Sequence, residues 1–479
     1  MKNNNIQKKV RTRIAPSPTG DPHIGTLYQS IFDYAFAKQN NGDFIFRIED
    51  TDRERFVEGA EENMIDALSW AGIPPDESPF KGGKYSPYRQ SERLDIYRKY
   101  INELINNKNA DYCVCSKERL ASIREAQIKN KEQPKYDKYC LNLQKEEINK
   151  NLEAKKPYVI RLNVPDNTDI VFNDLIRGEI IINTKSIDDQ ILLKTDGYPT
   201  YHAAVVIDDH LMEITHIIRG EEWISSTPKH ILIYKAFGWE IPYFAHLSLL
   251  RNRDKSKVSK RHNNTSINWY KEEGYLPAAL INYLILLGWS SPDGKEIISM
   301  NEFIRNFSFD RVTKGGPIFD IDKLNWINGV YIRQLSILNL KKLIIPYLKY
   351  KDIKNSYLEN ILKLTQDRMK KLSEINDLIS FFIEDIDIPK DLIYEIFSKD
   401  DVNKIIKSII QIIDKIGINE ESEKIMREYA VNNNYKIGDF FMIIRLAITG
   451  RKASPPLINT MNVLGREKVK ERLLKLINN

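Results

Sequence analysis

The stretch from Arg11 to Asp52, RTRIAPSPTGDPHIGTLYQSIFDYAFAKQNNGDFIFRIEDTD, decides how the rest of the chain is read. The alternation of Val10, Thr12 and Ile14 predicts a buried strand. A Pro, Ser, Thr and Gly cluster from Pro16 to Pro22 ends it. Leu27, Ile31, Tyr34 and Ala35 then recur at helical spacing, and Phe44 to Ile48 reads as a second strand ending in Glu49 and Asp50. Strand, glycine-bearing turn, helix and strand follow the order of a nucleotide-binding half of a doubly wound sheet. The chemistry sits in the turn. Helix amides from His23 to Thr26 are expected to be free donors, backed by the positive end of the helix dipole. Gly25 admits a flat ring close to the backbone, and His23 is able to donate to a phosphate oxygen. A plainer role also fits, with His23 capping the helix and the prolines shaping a loop. The spacing G-x-G-x-x-G is absent, so this is not the dinucleotide fingerprint.

Working outward, 479 residues suffice for several domains with large cores. A formal charge of +6 permits an RNA partner and equally describes an ordinary solvated surface. Three cysteines, Cys113, Cys115 and Cys140, are too few and too clustered for a disulfide framework and suit a reducing cytoplasm. The start, MKNNNIQKKV, lacks an apolar core of signal-peptide length. The longest apolar stretch, residues 278–289, is too short to cross a bilayer. A soluble cytoplasmic protein without a membrane partner is expected.

Helices are expected over Glu58 to Trp70 and from Tyr88 to about Lys108. Cys113-Val-Cys115 then forms a knuckle able to give two thiolates to one ion, with Cys140 after a charged helical interval. No histidine lies nearby to complete a tetrahedral zinc site. Tyr136, four residues before Cys140, shares its face if that segment is helical. The cysteines read either as zinc ligands or as small core residues. Alternating patches at Tyr158–Val164, Ile170–Asn173 and Glu179–Asn183 suggest a small inserted domain.

The sheet resumes from Asp189, with strands at Ile191–Leu193 and Ile214–Ile218 and a helix from Ala203 to Asp208. Arg219 stands at a strand's carboxyl end, where such sheets place ligands. It suits either a bidentate carboxylate pair or a salt bridge to Glu221 or Glu222. Lys255, Lys257 and Lys260, with Ser256 and Ser259, make a short cationic loop able to close over a triphosphate. Trp269 to Trp289 reads as a helix pair. From 336 onward only helices are expected: Leu338–Tyr350, Tyr357–Leu378, Val402–Ile416, Ser422–Val431, Ile437–Thr449 and Val469–Ile477.

Several motifs in fixed order carry a family resemblance. APSPTGDPHIGT (Ala15–Thr26) resembles the HIGH signature of class I aminoacyl-tRNA synthetases, and KVSKR (Lys257–Arg261) resembles their KMSKS signature. RIAPSPTG, FRIEDTDRER, YRQSERLDIYRKY, KTDGYPTYH and IIRGEEWISSTPKH resemble the bacterial glutamyl-tRNA synthetases. The resemblance is strong over residues 10–335 and weaker beyond. It implies an α/β fold: a Rossmann-like doubly wound parallel sheet with an inserted α+β domain, then an all-α anticodon-binding region. The domains expected are 1–112 and 189–262 as the two catalytic halves, 113–188 as the insertion, 263–335 as a stem-contact domain and 336–479 as the anticodon-binding bundle.

The resemblance also implies roles, position by position. Arg13, Ala15, Ser17, Glu49, Tyr201 and Arg219 would bind glutamate, with Glu49 receiving its ammonium and the two arginines its carboxylates. His23 and Gly25 would belong to the ATP site with Lys257 and Lys260, and His23 and Lys260 would be catalytic. A dianionic amino acid needs two cations, and its ammonium needs one carboxylate, so the set is chemically coherent. WINGVYIR (Trp326–Arg333) resembles a stem-contact segment, and Arg368 the arginine that reads an anticodon base; a surface arginine on a helix is the alternative. Zn2+ would be held by Cys113, Cys115, Tyr136 and Cys140. Relatives carry C-x-H where this chain has Cys140-Leu141-Asn142, which leaves the fourth ligand open. The implied activity is ATP-dependent ligation of L-glutamate to tRNA(Glu) by a monomer, with Mg2+ accompanying ATP. A truncated relative that glutamylates a modified tRNA base lacks the helical C-terminal region. A non-catalytic tRNA-binding protein would not need His23, Glu49, Arg219 and Lys260 together.

Overall fold

Arg11–Ile14 is buried along its whole length, as befits a strand covered on both faces. The computed structural model describes residues 8–52, 55–258 and 265–478. Its strands are β1 (Arg11–Ile14), β2 (Asp43–Phe46), β3 (Ala110–Cys113), β4 (Val159–Leu162), β5 (Asp169–Asp174), β6 (Gly178–Asn183), β7 (Ile191–Leu193), β8 (His216–Gly220) and β9 (Tyr243–Leu247). Two compact units are formed. One holds the described residues up to Tyr270 together with Pro277–Ile321; the other holds Lys271–Leu276 and the described residues from Asp322 onward.

In the first unit β1 runs parallel to β2, and β8 parallel to β9. Thr215 stitches the two pairs, its amide donating to the Arg11 carbonyl and its carbonyl accepting from Tyr243. Between β1 and β2 lies the helix Ile24–Gln39, which buries Ile24, Leu27, Ile31, Phe32 and Ala35 completely. Those positions are the apolar stripe of a helix lying on a sheet. The arrangement is the mixed α/β core expected of a doubly wound domain.

The segment 113–188 supplies helices Lys117–Lys129 and Lys145–Glu153 as well as strands. Its strands are not a separate sheet. β4 pairs antiparallel with both β3 and β7, and β5 touches β9 in parallel register at Asp174 and Phe244. Backbone groups at the edges of the insertion are thereby satisfied by flanking chain. The helix expected from Tyr88 starts as a 3-10 turn at Gln90 and becomes regular at Leu94–Asn106. The strand expected from Ile214 begins at His216, because the Thr215 backbone and hydroxyl serve as the stitch.

The second unit is helical throughout its described residues. Helix Lys399–Ile416 buries Val402, Ile405, Ile406, Ile409 and Ile413 at the expected period. Arg472, itself 2% exposed, donates to the carbonyls of Phe381, Ile448 and Glu384 and so caps two helix ends at once. The single helix expected over Tyr357–Leu378 is four pieces instead: Asn355–Thr365, turns at Gln366–Arg368 and Leu372–Glu374, and Ile375–Ile383. The break has a local cause. The Glu374 carboxylate accepts from the amides of Lys370 and Lys371, which starts a new helix. The division into two units falls within 263–335, since helix Pro277–Gly288 belongs to the first and helix Ile321–Gln334, from Asp322 onward, to the second.

Candidate active site

His23 closes the turn after β1 as the N-cap of helix Ile24–Gln39, its Nδ1 accepting from the Gly25 amide at 2.9 Å. The ring that approaches Gly25 is thus His23 itself; a Cβ there would sit 3.0 Å from Nδ1. Accepting at Nδ1 leaves the proton of the neutral ring on Nε2. The expectation of free amides at this helix start is corrected. The Ile24 amide donates to Thr265, and those of Thr26 and Leu27 to the His23 carbonyl. Any anion here meets the imidazole and the helix dipole rather than bare N–H groups. Ile267 also donates to Pro22, so the chain just beyond the cationic loop is tied to the signature turn.

That turn opens on a cavity of about 1120 Å³. Arg13, Ala15, Ser17, His23, Gly25, Glu49, Tyr201, Arg219 and Lys257 all line it. These are the sequence-derived glutamate and ATP positions that fall within the described residues. Lys260, expected to be catalytic, lies outside them, as does most of KVSKR. Of the loop's described part, Asn252 clasps Ser256 and Lys257, and the Lys257 ammonium meets Glu222 at 3.2 Å.

The charges of Arg13 and Glu49, which line the cavity, are set by residues behind them that the motifs did not single out. Asp209 accepts from Arg13 at 3.2 Å and from Arg47 at 2.7 Å, with all three side chains at most 3% exposed. Arg47 also reaches Glu49 at 3.2 Å. Asp208 takes Arg93 at 2.7 Å, Gln90 at 2.9 Å and Tyr97 at 2.8 Å. The signal in the sequence was Asp208-Asp209, a carboxylate doublet ending the apolar run Ala203–Ile207. Burial opposes the charge on Arg13 most strongly, yet Asp209, helped by Asp33 and Tyr201, more than offsets it and raises the guanidinium above its ordinary value. Burial dominates at Glu49 and pushes its carboxyl up to about 7, against the opposing pull of Arg47 and Arg13. Burial, then the Glu49 charge, raises the Tyr201 phenol to about 12, so it stays a neutral donor.

Arg219 forms no salt bridge with Glu221 or Glu222. Glu221 is held by Arg177 at 2.7 Å and Arg251 at 3.4 Å, and Glu222 by Lys257. Arg219 is 3% exposed, and every hydrogen bond it donates among the described residues goes to a neutral group. A buried cation without a buried anion is a place for an anionic ligand.

The three cysteines converge in the insertion, their Sγ atoms all within 4.8 Å of one another. Zinc–sulfur bonds of about 2.3 Å place tetrahedral sulfurs roughly 3.8 Å apart, so the cluster fits a metal without large movement. The neighbouring Cys140 thiol, against the cost of burial, holds Cys113 below its ordinary range. Tyr136 is present, but not on a helix shared with Cys140. The helix ends at Lys129, and the chain turns back through Lys138 with φ 56°. The Tyr136 hydroxyl accepts from the Cys140 amide at 2.8 Å and lies 3.9 Å from Cys115 Sγ, while burial pushes its phenol up. In the second unit Arg368 is exposed on its turn, close enough to Arg445 to depress that guanidinium beyond the effect of burial.

Residues 9–326 match the family described as tRNA synthetases class I (E and Q), catalytic domain, and residues 339–477 match an anticodon binding domain. A glutamate–tRNA ligase of Fusobacterium nucleatum is 43% identical, over 98% of this chain and 98% of that protein. One from Acidothermus cellulolyticus is 44% identical, over 97% of this chain and 94% of its own. The crystal structure of a glutamate tRNA ligase from Elizabethkingia meningosepticum, in complex with its amino acid, superposes with a TM-score of 0.91 at 37% identity, covering 98% of this chain and all of that one. The chain belongs to the class I tRNA synthetases (E and Q).

Proposed function

From that membership we propose that this chain is a glutamate–tRNA ligase, an aminoacyl-tRNA synthetase that activates L-glutamate with ATP and transfers it to the 3′ end of tRNA(Glu). The observation that carries the amino-acid choice is Arg219, buried in the cavity wall and hydrogen-bonded, among the described residues, to neutral partners only. Arg13 and Arg219 would take the two carboxylates of glutamate. Glu49 would take the ammonium, with Ala15, Ser17 and Tyr201 shaping the pocket. A ligand ammonium would add to the counter-charge of Arg47, which Glu49 shares with Asp209, and so favour the ionised form.

A glutamate α-carboxylate oxygen attacks the α-phosphorus of ATP, and pyrophosphate leaves with the P–O bond electrons. The terminal ribose hydroxyl of tRNA then attacks the adenylate carbonyl, and AMP departs. No enzyme nucleophile is needed; positioning and cationic stabilisation of phosphate charge suffice. His23 donates from Nε2, Gly25 keeps the turn open, and Lys257 and Lys260 bring cations from the loop. Mg2+ would accompany ATP. Cys113, Cys115 and Cys140 would hold Zn2+ as a structural ion, with Tyr136 the nearest candidate for a fourth ligand and the insertion facing the tRNA acceptor end. Arg368 would contact the anticodon, where an arginine suits bidentate pairing to a base edge.

The test is amino-acid-dependent ATP–pyrophosphate exchange, with and without tRNA. Exchange with glutamate that becomes efficient only when tRNA is present supports the reading. Absence of glutamate-dependent exchange in the presence of tRNA, or preference for glutamine, overturns it.

A further inference from the structure

A buried arginine held without an acid raises the question of what holds it. The Arg219 Nε donates to His246 Nε2 at 3.1 Å, and its Nη1 lies 3.3 Å from His230 Nδ1. Its Nη2 donates to Thr227 Oγ1 at 2.8 Å and to the Trp223 carbonyl at 3.3 Å. A guanidinium offers donors only, so a ring nitrogen that meets it must present a lone pair. That fixes both tautomers. His246 carries its proton on Nδ1, 2.6 Å from Asp174 Oδ2. Asp174 is itself held in place, its Oδ1 accepting from the amides of Ile176 at 3.0 Å and Arg177 at 2.9 Å. His230 carries its proton on Nε2, 3.0 Å from His202 Nδ1, which must accept.

We infer that His246, backed by Asp174, and His230, backed by His202, are positioning residues that set amino-acid specificity: they aim Arg219 into the pocket while leaving its charge uncancelled. The inference rests on the proposed meeting of Arg219 with the substrate side-chain carboxylate. Carboxylates in place of the histidines would hold the guanidinium as firmly. They would also neutralise it, and the pocket would then lose its reason to prefer an acid over the corresponding amide. Asp174 stays one imidazole away from Arg219, so its charge orients the ring without pairing with the guanidinium directly. Burial, with the Arg219 charge nearby, keeps His230 well below its ordinary range and His246 below its own despite Asp174. Both rings therefore remain neutral acceptors.

Four variants of the full chain test this: His246→Leu, His246→Gln, His230→Gln and His230→Glu. Each is assayed by ATP–pyrophosphate exchange with tRNA, for glutamate and glutamine, with KM for ATP measured alongside. Losing the acceptor in His246→Leu is expected to raise the glutamate KM at least about tenfold, the worth of a charge-assisted hydrogen bond. ATP KM and kcat should stay within about twofold, because uniform binding of glutamate alone is lost. His246→Gln restores a neutral acceptor and should recover most of that loss. His230→Glu should lower the glutamate-to-glutamine ratio at least about tenfold below His230→Gln, which has the same shape but no charge. Equal values for His246→Leu and His246→Gln, or equal ratios for the two His230 variants, overturn the inference. A parallel rise in ATP KM would mean a structural role and overturn it too. If His246→Leu does not fold, the His230 pair decides. Failure of the unaltered protein to use glutamate at all would instead reject the reading beneath it.

Discussion

Replacing Glu49 by Gln separates what this carboxyl does for the folded protein from what it does for the substrate. The side chain is 8% exposed, and burial raises it from 4.5 to about 7. The folded state therefore keeps a proton that the unfolded chain has already released, and stability falls as pH rises through that window. At about 1.4 kcal/mol per tenfold, ionised Glu49 costs roughly 3 kcal/mol, most of it accumulating between about pH 5 and pH 8. Glutamine keeps the shape and an oxygen for Arg47, now 3.2 Å away, but does not titrate. Urea unfolding without substrate should show the variant gaining about 2–3 kcal/mol on the parent between about pH 5 and pH 8. In the exchange assay the order reverses. The parent's kcat/KM for glutamate should fall as pH drops below about 7, as Glu49 takes a proton and loses its hold on the ammonium. The variant should be weak at every pH and flat. A stability difference independent of pH, or a parent profile flat through neutrality, refutes the assignment of that pKa and role.

Arg219→Met removes the charge expected to meet the side-chain carboxylate, and should lower the glutamate-to-glutamine ratio of kcat/KM by about 3 kcal/mol or more, roughly a hundredfold; an unmoved ratio would make Arg13 the selector. Lys260→Ala should reduce exchange turnover far more than it raises the glutamate KM, since a closing cation acts mainly in the transition state; an unchanged kcat removes Lys260 from that role. Chelator-free protein should contain zinc by elemental analysis, and Cys113→Ser should release it and raise the tRNA KM in aminoacylation while ATP KM holds. Near-zero zinc with three freely titrating thiols would make the cysteines packing residues.

Short-range features were legible without coordinates. Residues 11–52 announce a strand, a turn, a helix and a strand, because a period of two, a proline–glycine cluster and a period of 3.6 are properties of consecutive residues. The positions that line the cavity, among them Arg13, His23, Glu49 and Arg219, were reached because each sits in a stretch that resembles one of the family's motifs. What the motifs did not disclose is which groups each side chain meets. His23 Nδ1 is spent on Gly25, and the neighbouring amides are spent on the His23 carbonyl and on Thr265. Asp209 lies 196 positions from the Arg13 it holds, and His246 lies 27 from Arg219. Tyr136 reaches the cysteines through a reversed turn, not along a helix face. Hydrophobic period and motif order are written along the chain. Charge compensation, tautomers and metal geometry depend on which distant segments the packed core brings within about 3 Å of one another, and that only the tertiary structure decides.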